Sequence, residues 1–152
     1  VTDRYIRSLG INDFSIQHTE DDMHRDLNLG YENWSTPLAT AEVIEALLTR
    51  TLFDKPHQEF IKEALITCQT GTSRIVHPLQ DKQVTVGHKT GTGDRNASGQ
   101  LIAINDAGFV QFPNGHRYVL VVFVKDSQES MEDTEAIIAQ ISEMVYQAFS
   151  KP

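Results

Sequence analysis

The sequence lacks the features that mark several large classes of proteins. It has a single cysteine, Cys68, so no disulfide can form within the chain. No apolar stretch approaches the roughly 18 residues that a membrane-spanning helix requires. Lys and Arg number 13 against 21 Asp and Glu, which gives a net charge of −8, and the basic residues form no cluster. Nucleic acids and anionic membranes are therefore poor partners, because their phosphates bind clustered basic side chains.

The start of the chain lacks both an initiator methionine and a secretory signal. Val1 is followed by "TDRYIRSLGI", in which no charged segment precedes an apolar run, so we expect no signal peptide in this chain. The same stretch predicts a short helix that is capped by Thr2 and ended by Gly10. A chain that begins inside a helix in this way is expected to be a mature product or a fragment.

The helical pattern that follows predicts three further helices. Thr36 and Pro37 supply a cap and a first-turn proline for one helix, and a second begins near Pro56. The third runs from about Met131 to Phe149. Its predicted apolar face consists of Ile137, Ile138, Ile141, Met144, Val145 and Ala148. The stretch from His18 to Ser35 has no sustained period and is predicted to be an irregular loop that packs through its aromatic residues.

The strand pattern between these helices predicts an antiparallel meander. The segments "QVTVGHK", "GQLIAIND" and "RYVLVVFVKD" are typical of strands. Asp106–Gly108 and Pro113–Gly115 are the predicted connections, and Asn114-Gly115 is a strong hairpin signal because both residues tolerate positive φ. Helices, three strands and a final helix make an α+β pattern with at least one open sheet edge.

The stretch "VGHKTGTGDRNASG", from Val86 to Gly99, contains the candidate site. Lys89 lies at the end of an alternating strand and supplies a fixed positive charge, and the hydroxyls of Thr90 and Thr92 donate hydrogen bonds. Gly91 lets a ligand lie against the backbone. Together these groups would hold a carboxylate, and the N–H groups of the strand edge would serve an oxyanion. The competing interpretation is a surface lysine that leads into a glycine turn.

Two nucleotide-binding motifs do not fit this stretch. A Walker loop needs Gly-Lys followed by Ser or Thr, whereas His88 precedes Lys89 here. The dinucleotide fingerprint needs a third glycine where Asn96 stands, and it opens a helix rather than a strand.

The acidic loop contains residues of the kinds that bind metals. His18, Glu20, Asp21, Asp22 and His24 lie close together in sequence and include ligands that zinc accepts. The alternative is a solvated acidic loop, and no distant His or Cys has convincing spacing. We therefore predict no metal and no other cofactor.

The motifs taken together resemble the class A serine β-lactamases. Lys89–Gly91 matches the third motif that these enzymes share with penicillin-binding proteins. "HTEDDMH" followed by "YENWSTPLAT" is similar to the family's Ω-loop, with Glu20 as its glutamate, then Met23 and His24. "TGTSRI" resembles the stretch in which many members carry an arginine near the substrate carboxylate, which is Arg74 here. The resemblance covers essentially the whole chain and favours the extended-spectrum, cephalosporinase-like branch.

This resemblance implies a β-lactamase/transpeptidase-like fold in partial copy. Residues 1–70 would belong to the helical subdomain and include the Ω-loop, at about 18–36. Residues 71–152 would form the C-terminal part of the α/β subdomain. The N-terminal half of the family fold would be absent, and with it the remaining strands of the sheet, so the exposed edge predicts self-association.

The resemblance also implies the roles of individual residues. Glu20 would activate the water that hydrolyses the acyl-enzyme, and His24 would orient that water or simply support the loop. The residues assigned to catalysis are Glu20, Lys89 and Thr92, and those assigned to substrate binding are Thr90, Gly91, Thr92, Arg74 and His24. The N–H of Thr92 resembles one half of the oxyanion hole. Where many members brace the loop with an arginine–aspartate pair, this sequence has His18 and Asn33, so hydrogen bonds are expected to hold the loop instead.

The nucleophile is missing from this sequence. No serine is followed three residues later by lysine, and no Ser-Asp-Asn occurs. We therefore expect the full-length protein, periplasmic or secreted by resemblance, to hydrolyse β-lactams, and this chain alone to be inactive. Two alternatives remain at this point: a penicillin-binding D,D-peptidase, which usually lacks the deacylating glutamate, and a non-catalytic module that binds peptidoglycan-like peptides or a protein partner.

Overall fold

A computed structural model describes residues 1–151 and has the predicted α+β architecture. The helices are α1 (Thr2–Ser8), α2 (Glu20–Arg25), α3 (Pro37–Thr49), α4 (Lys55–Ile66) and α5 (Met131–Phe149). The strands are β1 (Phe14–Ser15), β2 (Trp34–Ser35), β3 (Thr85–Thr92), β4 (Leu101–Gln111) and β5 (Arg117–Ser127). Short 3-10 helices span Leu27–Tyr31 and His77–Leu79. Pro152 is the last residue of the predicted segment 71–152, and it lies outside the described residues.

Most helix ends follow their sequence signals. The Thr36 side chain accepts a hydrogen bond from Ala39 N at 3.1 Å, with Pro37 in the first turn of α3. The start and end of α5 are confirmed. The cap predicted for α1 is wrong: the helix begins at Thr2, so Val1 holds the cap position and makes no side-chain bond there. Gly10 follows the helix with φ +93, as its predicted role as a stop requires.

The loop between β1 and β2 is more ordered than predicted, because it contains α2 and a 3-10 helix. Thr19 starts α2 with a capping box: its hydroxyl accepts from Asp22 N, and the Asp22 carboxylate accepts from Thr19 N. Aspartate takes the place that this motif usually gives to glutamate or glutamine, and the sequence signal was missed for that reason.

The main sheet has the strand order β3-β4-β5 and is antiparallel throughout. Pro113–Gly115 forms the predicted tight turn, with Gly115 at φ +87. The connection predicted at Asp106–Gly108 is wrong, because these residues lie inside β4 and the true link between β3 and β4 is 93–100. Asp106 is fully buried and accepts a hydrogen bond from Ile75 N at 3.0 Å, so its polarity reflects a tertiary contact rather than a turn.

The core lies between this sheet and α5. Its buried members are Ile75, Leu101, Ile104, Val122 and Ile138. The predicted apolar face of α5 is wrong in part, because only one side of it packs on the sheet: Ile138 is buried, whereas Met144 is 70% exposed. A second cluster joins α1 to α3 through Ile11, Phe14 and Ala39. Within residues 1–151, no helix is long and apolar enough to cross a membrane.

Candidate active-site cleft

The loop between β1 and β2 and strand β3 face each other across a cleft of about 430 Å³. Six of the seven predicted site residues line it: Glu20, His24, Lys89, Thr90, Gly91 and Thr92. The fold thus brings together two segments that are far apart in the sequence. Asn33 from the loop and Asn105 from β4 also line the cleft.

One wall of the cleft is the end of β3. Strand alternation turns the side chain of His88 into the core and leaves Lys89 exposed. Gly93 N donates to Ala103 O on β4 at 2.8 Å. Because successive N–H groups of a strand point in opposite directions, the N–H of Thr92 is turned towards the open edge of the sheet. The end of β3 therefore contributes a cation, two hydroxyls and a backbone donor to the cleft lining.

Buried polar groups anchor this wall from behind. His88 Nδ1 lies 2.9 Å from Asp106 Oδ1, and both side chains are buried. The same carboxylate accepts from Ile75 N, so it ties β3 and β4 to the segment that precedes them. A buried carboxylate with no partner would cost several kcal/mol, and its two partners here make it a fixed point of the sheet.

Arg74 is the predicted site residue that does not line the cleft. Its side chain is 4% exposed, and its Nε donates to Glu135 Oε1 on α5 at 2.9 Å. The other guanidinium nitrogens donate to Gly91 O at 3.2 Å, Asn105 O at 2.8 Å and Thr92 Oγ1 at 2.7 Å. The guanidinium therefore braces the Lys-Thr-Gly wall from inside instead of adding an exposed charge beside it. Sequence reasoning missed this because Glu135 lies 61 residues further along the chain.

Thr70 is a residue of the wall that sequence reasoning missed. Its Oγ1 lies 2.7 Å from Thr90 Oγ1, and the two hydroxyls share a hydrogen bond. The next residue, Gly71, has φ +62, and a Cβ there would stand 2.3 Å from Thr90 Cγ2. The turn after α4 thus fixes the Thr90 side chain by contact and by hydrogen bond. The glycine in "TGTS" was a signal for this turn, but not for what the turn touches.

The opposite wall carries Glu20, the first residue of α2. Its side chain is 80% exposed, and His24 lies one turn later with Nε2 3.6 Å from Glu20 Oε1. A solvated carboxylate that faces the cleft is able to accept a proton from a bound water, and the imidazole is near enough to share that water.

The neck of this loop is closed by Asn33. Its Oδ1 accepts from Gln17 N at 2.8 Å and from His18 N at 3.0 Å, and its Nδ2 donates to His18 O at 2.9 Å. The His18 ring adds a contact of 2.7 Å to Glu32. The expectation that hydrogen bonds replace an arginine–aspartate pair is therefore met. Within residues 1–151, no group of three or more His, Cys, Asp or Glu side chains converges as metal ligands would.

Comparison with known proteins matches this fold and these motifs. A model of the beta-lactamase enzyme family matches residues 2–149. A β-lactamase from Bacteroides uniformis is 43% identical over 145 residues, which are 95% of this chain and 49% of that protein. The crystal structure of the TLA-3 extended-spectrum β-lactamase superposes with a TM-score of 0.93 and 35% identity, covering 98% of this chain and 54% of that one.

A class A β-lactamase from Bacteroides cellulosilyticus gives a TM-score of 0.90 and 39% identity over 97% of this chain and 52% of that chain. The chain therefore spans about half the length of the relatives it matches. Nearly the whole chain agrees with these proteins in sequence and in fold. The chain belongs to the class A β-lactamase family.

Proposed function

We propose that the protein to which this chain belongs hydrolyses β-lactam antibiotics by serine acylation followed by Glu20-assisted deacylation. One observation carries the proposal: Glu20 and the Lys-Thr-Gly strand line the same cleft. The family membership of the chain supports it.

The β3 wall binds and polarises the substrate in this proposal. Lys89 supplies the charge that attracts the β-lactam carboxylate, and the hydroxyls of Thr90 and Thr92 donate hydrogen bonds to it. Gly91 allows the substrate to lie against the strand. The N–H of Thr92 stabilises the oxyanion that forms when the carbonyl carbon becomes tetrahedral. Arg74 contributes by holding Thr92 Oγ1 and Gly91 O in place.

The loop wall completes the second step. The Glu20 carboxylate takes a proton from water, and the water oxygen attacks the acyl carbonyl. The bond between that carbonyl and the serine oxygen then breaks, and the serine oxygen regains a proton. His24 orients the water or supports the loop. The serine belongs to the part of the family fold that this chain does not cover, so the chain alone is inactive.

Replacement of Glu20 tests this mechanism. In the full-length protein, Glu20→Gln should abolish turnover of a chromogenic cephalosporin while a covalent acyl-enzyme accumulates, detected by intact-protein mass spectrometry. Asp21→Asn is the matched control, because Asp21 is exposed on the same helix and pairs with Arg25 one turn later. Turnover by the isolated chain, or an unchanged rate in Glu20→Gln, would contradict the proposal.

A D,D-peptidase of the same fold is the second candidate, since it shares the Lys-Thr-Gly motif. Glu20 in the cleft favours the hydrolase. A long-lived penicilloyl adduct on the unaltered full-length protein would favour the peptidase. A non-catalytic module that recognises peptidoglycan-like peptides is favoured only by the missing serine motif. Peptide binding without any covalent adduct in the full-length protein would support it.

The remaining expectations concern the setting of the protein. We propose a periplasmic or secreted location, which suits an enzyme that meets β-lactams before they reach the cell wall machinery. The natural partner of this chain would be the N-terminal half of the same protein. Strands β3 and β5 are the outer strands of the sheet, so the isolated chain is expected to self-associate through an edge. A monomeric sedimentation profile would contradict this expectation.

A further inference from the structure

The Ω-loop touches the sheet through a tyrosine. Tyr31 ends the 3-10 helix of the loop, and its hydroxyl donates to Asp126 Oδ1 at 2.6 Å, across 95 residues of sequence. Among residues 1–151, this is the only hydrogen bond that joins loop residues 18–33 to the strands of the main sheet. The loop is thus tied at its neck by Asn33 and on the sheet by Tyr31.

The acceptor, Asp126, has an unusual backbone conformation and a backbone contact of its own. Asp126 is the only residue other than glycine with a positive φ in the described part of the chain, at +52. Aspartate and asparagine tolerate this conformation better than most residues, but it still carries a cost. Gln100 Nε2 donates to Asp126 O at 3.3 Å, and Lys125 Nζ lies 5.0 Å above the Tyr31 ring. The backbone that carries the carboxylate is therefore held at the end of β5.

Close packing does not set the distance between the loop and the sheet. A cavity of about 410 Å³ lies between the loop and the sheet, lined by Tyr31, Trp34, Phe123, Val124 and Lys125 among others. It shares Gly30, Asn33 and Ile102 with the cleft, so the two spaces adjoin. Because the loop spans open space here, its distance from β3 depends on the few contacts that cross that space.

We propose that Tyr31 and Asp126 are positioning residues for deacylation, an inference that rests on the proposed function. Their hydrogen bond sets the height of the Ω-loop above β3, and so the position of Glu20 relative to the acyl carbonyl. The β3 wall does not depend on the loop, so acylation is unaffected. Loss of the bond slows only the step that needs Glu20.

Removal of one hydroxyl tests the proposal. Tyr31→Phe keeps the ring and its contact with Lys125. Asp126→Gly removes the acceptor and still tolerates positive φ. Tyr5→Phe is the matched control. Tyr5 and Tyr31 are both 37% exposed, and the Tyr5 hydroxyl also bonds to another segment, at Leu52 O.

The first measurement is amide hydrogen exchange of the loop, in this chain and in the full-length protein. Exchange of residues 19–32 should rise about tenfold in Tyr31→Phe and Asp126→Gly, and stay unchanged in Tyr5→Phe. Loop exchange in the double variant should equal that in Tyr31→Phe, because both substitutions remove the same hydrogen bond.

The second measurement separates positioning from a general loss of folded enzyme. Slower deacylation lowers kcat and KM by the same factor, about tenfold, and leaves kcat/KM unchanged while acyl-enzyme accumulates. A fall in kcat with unchanged KM, or loop exchange equal to that of Tyr5→Phe, would overturn the proposal. If the unaltered full-length protein has no β-lactam turnover, the proposed function fails, and hydrogen exchange alone then decides whether the bond holds the loop.

Discussion

The two walls of the cleft are held in opposite ways. Behind β3, Arg74, His88 and Asp106 are buried and hydrogen-bonded to several segments of the chain. The Glu20 wall has no buried residue in α2 and depends on side-chain contacts at its neck and at Tyr31. The groups proposed to bind substrate are therefore held by buried contacts, whereas the group proposed to move a proton sits on a loop held by exposed and half-buried side-chain contacts.

This difference has an energetic basis. A buried charge that loses its partner costs far more than an exposed one, because water cannot replace the missing contact. Substitutions behind β3 should therefore weaken the whole domain. Substitutions in the loop should change local motion and catalysis and leave global stability nearly intact.

The largest effect is expected from Arg74→Met. It leaves the Glu135 carboxylate without its guanidinium partner and removes the bonds to Gly91 O and Asn105 O, so the free energy of unfolding should fall by about 3–5 kcal/mol. Urea unfolding followed by circular dichroism measures it. Arg117→Met is the control, because Arg117 pairs with Glu45 at the surface and should cost less than about 1 kcal/mol. If the free energy of unfolding falls equally in Arg74→Met and Arg117→Met, the buried contacts of Arg74 contribute no more stability than an exposed ion pair.

A smaller, local effect is expected from Asn33→Ala. It removes three hydrogen bonds from the loop neck, so amides of residues 17–32 should exchange faster by at least about tenfold. The global unfolding midpoint should move little. Asn12→Ala removes one exposed bond to Gly10 O and should leave the loop unchanged. Global unfolding of Asn33→Ala, with no separate loop opening, would show that both walls belong to one cooperative unit.

Thr70→Val should change KM for a β-lactam by a few-fold. It removes the partner of the Thr90 hydroxyl and keeps the volume of the side chain, at a cost of about 1 kcal/mol. In the full-length protein, KM for a β-lactam should rise while kcat changes little, because only the carboxylate wall is affected. Thr67→Val is the control, since its hydroxyl bonds to Glu63 O within α4 and its turn. A lower kcat with unchanged KM would place Thr70 outside substrate binding.

The smallest effect at neutral pH is expected from Tyr118→Phe. Tyr118 is buried, and its hydroxyl has no hydrogen-bond partner within residues 1–151, so its removal should be neutral or slightly stabilising. Burial raises the pKa of Tyr118 to about 12 from the usual 10. As the pH rises, this tyrosine therefore ionises first in the unfolded chain. The contribution of its raised pKa to the free energy of unfolding is fully present below pH 10 and is lost as the pH rises towards 12.

Alkaline unfolding measures this prediction. The unaltered chain should lose stability between pH 10 and 12 more steeply than Tyr118→Phe. Tyr5→Phe, at an exposed site, serves as the control. Identical pH profiles for the unaltered chain and Tyr118→Phe would show that the hydroxyl is hydrated in solution.

Local signals predicted the parts of the fold that depend on neighbours in sequence. The cap at Thr36, the turn at Asn114-Gly115 and the span of α5 follow from short patterns. The lining from β3 was predicted from the Lys-Thr-Gly motif, whereas Glu20 and His24 were predicted from the resemblance to the class A β-lactamases. Asp106 was assigned to a turn because an aspartate near a glycine is usually exposed, and only its pairing with His88 explains its burial.

Arg74 and Thr70 show the same limit at the site. An arginine beside a binding motif fits a direct role, until its partner on α5 is known. The residues that support the β3 wall come from other segments of the chain. A local sequence pattern does not show which distant residues come into contact.

The position of Trp34 has a practical consequence. It is the only tryptophan in the sequence, it is 50% exposed, and it lies where the loop closes, facing the cavity beneath. The tryptophan fluorescence of this chain is therefore emitted from one place, next to the neck of the loop. A shift in its emission or in its quenching by iodide would report the loop in real time, with no label added.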